Sequence, residues 1–423
     1  MDTSTKRHLL AVAVGWLATR ALTLWLLAHS AQPSWGGYRV AREVWGLYHH
    51  WYGVLTHGAF PAHDPLWQYP PGAGPVLLSP ALLPGLTYFQ GFVALVLAAD
   101  AVTALALARA GARPGRSPLG AHLWTCGLPL LLHVPLVRYD VQATALAVLS
   151  LLTLKRSARA CGALAALGAL VKAWPALALL GVPPGRDTGS AWRAAAATAA
   201  ATLALLALAF RDPLAFLLQQ GGRGVQIESL GGTLLSVASH AGWPGTVRYR
   251  YGAMEFVGPY VSTLAHACLA LTVLAFALVS LWRFGARRWT EATPYDAALS
   301  AVLLLTVTSR VISPQYLVWL LGLAAVCLTS RHTVQRPAAV LLLAAAAVTS
   351  AIYPLHYAEV TGCTWTGTAL LLTRNGLLTA AAALSFARLW RSTRPLPRPR
   401  SGPLPDAALP HRVAPAGRTP AAL

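Results

Sequence analysis

Runs of Ala, Leu and Val fill most of the chain and are separated by short loops that carry arginine. A bilayer core takes roughly 20 apolar residues per helix. Runs at or near that length lie at 8–28, 87–109, 190–210, 257–283, 338–354 and 367–389. Shorter runs at 120–136 and 141–154 predict one hairpin, with Arg138, Tyr139 and Asp140 at its tip. Residues 160–184 predict a second, bent at Lys172, Trp174 and Pro175. Arms this short place both tips inside the membrane thickness, facing a cavity. Residues 296–309 and 316–329 form a further pair around the turn SRVISPQY. The segment 72–86 is apolar but short and has three prolines. It reads as a re-entrant or interfacial helix, whose backbone must be covered by protein or line a cavity. The expected fold is an all-α polytopic membrane protein of about twelve crossings, one domain over 1–390.

Composition supports this reading. Only 11% of the 423 residues are charged, against about 25% in soluble domains. The net charge of +20 does not point to nucleic acid, because the arginines sit in loops between apolar runs and in the tail. That is the pattern of the positive-inside rule. It places both termini in the cytoplasm and the loops 29–70 and 211–256 outside. The tail 391–423, rich in Pro and Arg, reads as a disordered cytoplasmic segment near anionic lipid headgroups. The five scattered cysteines suggest neither a disulfide framework nor a zinc site.

With that topology the unusual polar residues gather on the outer side. Residues 43–71, EVWGLYHHWYGVLTHGAFPAHDPLWQYPP, crowd carboxylates, histidines and aromatics together in an otherwise apolar chain. Within them 43–57 predicts an amphipathic helix, with Val44, Leu47, Trp51 and Leu55 on one face. Glu43, His50 and His57 repeat every seven residues and would share the other face. Histidines so spaced make a poor metal pair, and no HExxH occurs. The hairpin tips add Arg138, Asp140 and Lys172, the last an ionisable residue inside an apolar hairpin and functional by default. The second loop adds Arg223, Gln226 and Glu228, and the late turn Arg310, Gln315 and Tyr316. Arg138 and Asp140 could equally pair with each other at their own tip. Arginines at 223 and 310 stand where the positive-inside rule predicts few, which favours phosphate binding. The cytoplasmic side shows almost no carboxylate partners.

Five segments together resemble glycosyltransferase family 87: WYGVLTHGAFPAHDPLWQYPP, VRYDVQATALAVL, ALGALVKAWPALALL, RGVQIESLGGTLL and SRVISPQYLVWLL. They run in the family's order from about residue 40 to residue 330. Family members are polyprenyl-phosphate-mannose-dependent α-mannosyltransferases of the GT-C superfamily, and the Ala- and Arg-rich composition is similar to that of high-GC actinobacterial members. The resemblance implies an extracytoplasmic active site under the first loop, whose acidic residue activates the acceptor hydroxyl. The family usually has Asp before the Tyr of this loop; here Glu43 stands upstream of Tyr48, and Asp64 is the second acidic choice.

A lipid-linked donor leaves its chain in the bilayer and its phosphate at the boundary. Lys172, Arg223 and Arg310 are expected to hold that phosphate as it departs, with Glu43 or Asp64 as general base. His50, Gln226, Glu228, Gln315 and Tyr316 join Arg138 and Asp140 as further substrate-binding residues. Trp67, Tyr69 and Trp51 are expected to stack on a sugar, to line the lipid groove or to pack as core. A monophosphate leaving group obliges no metal, and no cofactor is expected. The partners implied are a polyprenyl-phosphate sugar donor, a glycolipid or polysaccharide acceptor and membrane lipids of the cell membrane. The competing reading is a transporter or flippase of lipid-linked sugars. It predicts repeated halves and charges spread through the spans, and the sequence suggests neither.

Overall fold

The computed structural model describes residues 3–30, 37–220 and 222–395. Most of the tail, from 396 onward, lies outside them. Among the described residues six helices are long and apolar enough to cross a membrane: Thr5–Ala28, Tyr88–Gly111, Arg186–Ala209, Val261–Gly285, Arg336–Leu355 and Trp365–Ser392. Seven shorter apolar helices lie among them, including Leu119–Leu131, Asp140–Thr153, Ala158–Val171 and Tyr316–Leu328. The protein is an all-α polytopic membrane protein. Large apolar side chains such as Leu10, Leu17, Leu208, Val273, Leu281 and Phe284 are exposed on the long helices. In a bilayer that surface meets lipid tails, so exposure carries no penalty.

The short helices are short for a local reason. Leu119–Gly127 runs into a 3₁₀ turn over Leu128–Leu131 with Pro129 near its start, and a second 3₁₀ turn follows at Val134–Val137 around Pro135. Proline lacks the N–H that would continue the ladder. Helix Ala158–Val171 likewise stops at Lys172, which is extended, before the 3₁₀ segment Trp174–Gly181. Both hairpins therefore turn inside the protein. The segment after the first loop is also broken, into Ala73–Leu78 and a 3₁₀ turn Ser79–Leu82.

Three buried charged side chains do lie within the long spans, contrary to the sequence reading. Arg20 and Asp100 form a buried pair in which Nε is 2.6 Å from Oδ2 and Nη2 is 2.7 Å from Oδ1. Trp16 and Trp124 each donate an indole N–H to the same carboxylate at 2.7 Å. Arg374, in the last long helix, is the third. Each of the three is paired, which is how the span tolerates it. At the end of the molecule opposite the hairpin tips, Glu291 accepts from Lys155 and lies 3.1 Å from Arg116. That end therefore has a carboxylate partner after all.

The second long loop folds into a helix, Leu230–Ser239, and a small antiparallel sheet, Val225–Gln226, Thr246–Arg250 and Ala253–Val257. The third strand is central, with Val225 opposite Phe256 and Arg248 opposite Glu255. The two-residue turn Tyr251–Gly252 has positive φ at both positions, as a tight hairpin requires.

Candidate active site

Glu43 begins a π-helical stretch, Glu43–Tyr48, between the α-helices Gly37–Arg42 and His49–Thr56. The apolar face forms as expected: Val44, Trp51 and Leu55 are buried and Leu47 half-buried. The polar face does not. His50 and His57 are exposed, whereas Glu43 is turned inward to Arg138, Oε2 lying 3.1 Å from Nη2. The Glu43 carboxylate reaches the buried guanidinium of Arg138 on another element, a long-range partner that helical period does not foresee. Arg138 is buried and also donates to the carbonyls of Val40 and Val137. It binds Glu43, not its neighbour Asp140.

Asp140 is fully buried at the start of helix Asp140–Thr153 and pairs with the second hairpin tip. Its Oδ1 lies 2.8 Å from Lys172 Nζ and accepts from Trp319 Nε1 at 2.6 Å. Lys172 Nζ also stands over three rings, Tyr139 at 4.8 Å, Tyr69 at 5.4 Å and Trp319 at 5.5 Å from their centroids. Two glycines permit this meeting. At Gly72 an added Cβ would lie 2.6 Å from the Leu170 carbonyl, so the Tyr69–Gly72 turn docks against the second hairpin only because that carbon is missing. At Gly322 an added Cβ would strike Thr144, so only glycine lets the helix of Trp319 lie against the helix of Asp140.

Asp64 has a different setting. Its Oδ2 accepts from Trp51 Nε1 at 2.7 Å and its Oδ1 from the Leu66 backbone at 2.8 Å. Both oxygens are used in holding the loop. Trp51 and Trp67 are buried, 0% and 1% exposed, and meet edge to face at 5.1 Å. They form the floor of an aromatic cluster in which Tyr69 meets Trp51, Trp67 and Tyr139 edge-on.

The arginines come from the later loops. Arg223 donates from Nη2 to the Tyr251 carbonyl at 3.1 Å, and its Nε is 3.9 Å from Glu255 Oε1. Burial pushes the Glu255 carboxyl up, while the Gly224 amide, Arg223 and Arg310 pull it down. Arg310 Nη1 donates to the Arg223 carbonyl at 2.9 Å. Gln226 joins the loops, its backbone N–H donating to the Arg310 carbonyl and its Oε1 accepting from the Ile312 backbone N–H. Glu228 is buried against Arg374, Oε2 lying 3.4 Å from Nη2, and burial carries its carboxyl up to about 7 despite that partner. Gln315 and Tyr316 open helix Tyr316–Leu328, and Tyr316 stacks on Trp319 at 3.9 Å.

One phenol registers how these segments converge. Burial raises the pKa of Tyr69, the charges of Glu43 and Asp140 raise it further, and Arg138 and Arg223 oppose them. The first loop and both hairpin tips meet at the rings of Tyr69 and Tyr139 beside Lys172. Sequence reading assigned no role to Trp319, Glu255 and Arg374, and placed Tyr139 at the first tip without one. For Arg374 the signal was present: an arginine in mid-span is seldom without a role. Among the described residues no three His, Cys, Asp or Glu side chains are grouped as a metal set.

No curated protein matches the chain. The model of glycosyltransferase family 87 matches residues 67–314, more than half of it. That stretch contains both hairpin tips, the second loop and the turn at Arg310. The chain belongs to glycosyltransferase family 87 and is a membrane glycosyltransferase.

Proposed function

We propose that the protein transfers a sugar, mannose in the reading favoured by the family resemblance, from a polyprenyl phosphate to an acceptor hydroxyl. The reaction takes place on the extracytoplasmic face of the cell membrane, and the acceptor is a glycolipid or polysaccharide. The observation that carries the proposal is the pairing of a half-buried carboxylate, Glu43, with Arg138 on the same tip whose Asp140 holds Lys172, with the rings of Tyr69 and Tyr139 against that lysine. Glu43 is the general base. One of its oxygens faces Arg138, which orients the carboxylate, and the other takes the proton of the acceptor hydroxyl. The hydroxyl oxygen attacks the anomeric carbon as the bond to the phosphate oxygen breaks, and the configuration inverts. The leaving monophosphate gains charge as that bond breaks, and Arg223, Arg310 and Lys172 offset it. Asp140 holds Lys172 in place. Asp64 holds the loop that carries Tyr69.

Transfer by purified protein from a polyprenyl-phosphate sugar to a glycolipid, followed by the anomeric configuration of the product, tests this. Movement of the lipid-linked sugar across a vesicle membrane with no new glycosidic bond would point to a flippase instead.

A further inference from the structure

We propose that Arg374 and Asn375 are positioning residues for the donor-phosphate site; the proposal rests on the reading above. They lie on the last long helix, Trp365–Ser392, beyond the stretch that the family model matches. Both side chains reach one backbone atom. Arg374 Nη2 donates to the Glu228 carbonyl at 2.8 Å, and Asn375 Nδ2 donates to the same oxygen at 3.0 Å. Asn375 also donates to Thr233 Oγ1 at 2.7 Å, so helix Leu230–Ser239 is clamped by the same pair.

From that point the contacts lead to the arginines. Glu228 Oε1 accepts from Gln226 Nε2 at 3.4 Å. Gln226 holds the far turn by two bonds, from its own N–H to the Arg310 carbonyl at 3.0 Å and from the Ile312 N–H to its Oε1 at 2.9 Å. Arg310 in turn donates to the Arg223 carbonyl. Two segments far apart in sequence are thereby fixed to each other, and their reference point is a guanidinium buried in a spanning helix.

A contact serving stability alone would be met more cheaply by apolar packing, since a buried ion pair is often no more stable than a well-packed hydrophobic replacement. The pair is also incompletely satisfied: Arg374 Nε and Nη1 and Asn375 Oδ1 are buried without a hydrogen-bond partner. What the arrangement provides is orientation. Two donors on consecutive residues of a rigid helix fix one carbonyl, and a site built on rigid elements holds its geometry better than one on loops.

The test compares full-length wild type with R374M, R374K and the double variant R374M/E228Q, in detergent and in vesicles. The double variant removes both members of the buried pair and so avoids a lone buried charge. Steady-state transfer is measured against donor and acceptor separately, and farnesyl phosphate binding is followed by tryptophan fluorescence. We expect R374M to raise the donor KM at least tenfold with the acceptor KM unchanged, and R374K to recover part of it. The double variant is expected to unfold at the wild-type temperature while keeping the raised donor KM and the weakened farnesyl phosphate binding. A double variant with wild-type donor KM and farnesyl phosphate affinity would overturn the proposal, as would an R374M defect fully accounted for by loss of folded protein. A wild type that binds farnesyl phosphate in an Arg374-dependent way but transfers no sugar would overturn the transferase reading and leave the positioning role standing. A wild type that does neither overturns both.

Discussion

Replacing Asp140 by asparagine keeps the side chain's shape and takes away its charge. In the wild type one oxygen meets Lys172 Nζ at 2.8 Å and the indole N–H of Trp319 at 2.6 Å, with no water-accessible surface on the aspartate. Removing one partner of a buried pair costs about 3–5 kcal/mol, because the other charge is left uncompensated. Lys172 is only 11% exposed, so solvent relieves little of that cost, although three aromatic faces remain to it. We therefore expect D140N and D140L to fall near the lower and upper ends of that range. The double variant D140L/K172M should lose much less than the sum of D140L and K172M, leaving a coupling energy of about 2–3 kcal/mol. Reversible unfolding in mixed micelles over the four-protein cycle measures it. Transfer by the double variant is expected to be abolished even where its stability is restored. Additive stability losses would refute the pair as an energetic unit, and an active double variant would refute a role for Lys172 at the phosphate.

E43Q should lower kcat per folded molecule by about 10²–10⁴-fold and also lose some stability, because buried Arg138 is left without its charge partner, whereas D64N should keep most of its kcat and lose about 1–2 kcal/mol through its two loop-holding bonds; a kcat loss in D64N with E43Q still active would make Asp64 the base. D100A leaves Arg20 unpaired among buried neighbours and should cost about 3–5 kcal/mol while activity per folded molecule stays at the wild-type level. Glu228 should make stability fall as pH rises. Its carboxyl titrates near 7 in the folded chain and near 4.5 when unfolded, so its contribution is complete below about 4.5 and is lost through about 7. E228Q should flatten that part of the unfolding profile, and an unchanged slope would contradict the burial argument. G72A should displace the Tyr69 turn from the second hairpin and lower transfer without affecting insertion, as scored by activity per inserted molecule.

The parts legible in the sequence were those governed by local rules. Run length and proline placement anticipated broken hairpins turning at Arg138–Asp140 and at Lys172, and the helices stop there. The apolar face through Val44, Trp51 and Leu55 followed from period alone. What failed was long-range. Glu43 turned inward because it found Arg138 on another element, and helical period does not foresee such a partner. Neighbouring tip charges invited the pairing of Arg138 with Asp140, yet each found a partner on another element. The hairpin Thr246–Val257 carried a usable signal, alternating side chains around Tyr-Gly, that helical expectations obscured.

The pair between Arg20 and Asp100 also bears on how the chain is made. Arg20 lies in the first long helix, and its carboxylate is 80 positions further on, in the second, Tyr88–Gly111. During synthesis the first helix enters the bilayer with an arginine whose counter-charge has not yet been made, at a cost of roughly 2.5–3.5 kcal/mol on insertion scales. It waits in that state until helix Tyr88–Gly111 arrives and Trp124 follows. The opening span therefore carries an uncompensated charge until the segment that neutralises it has been made.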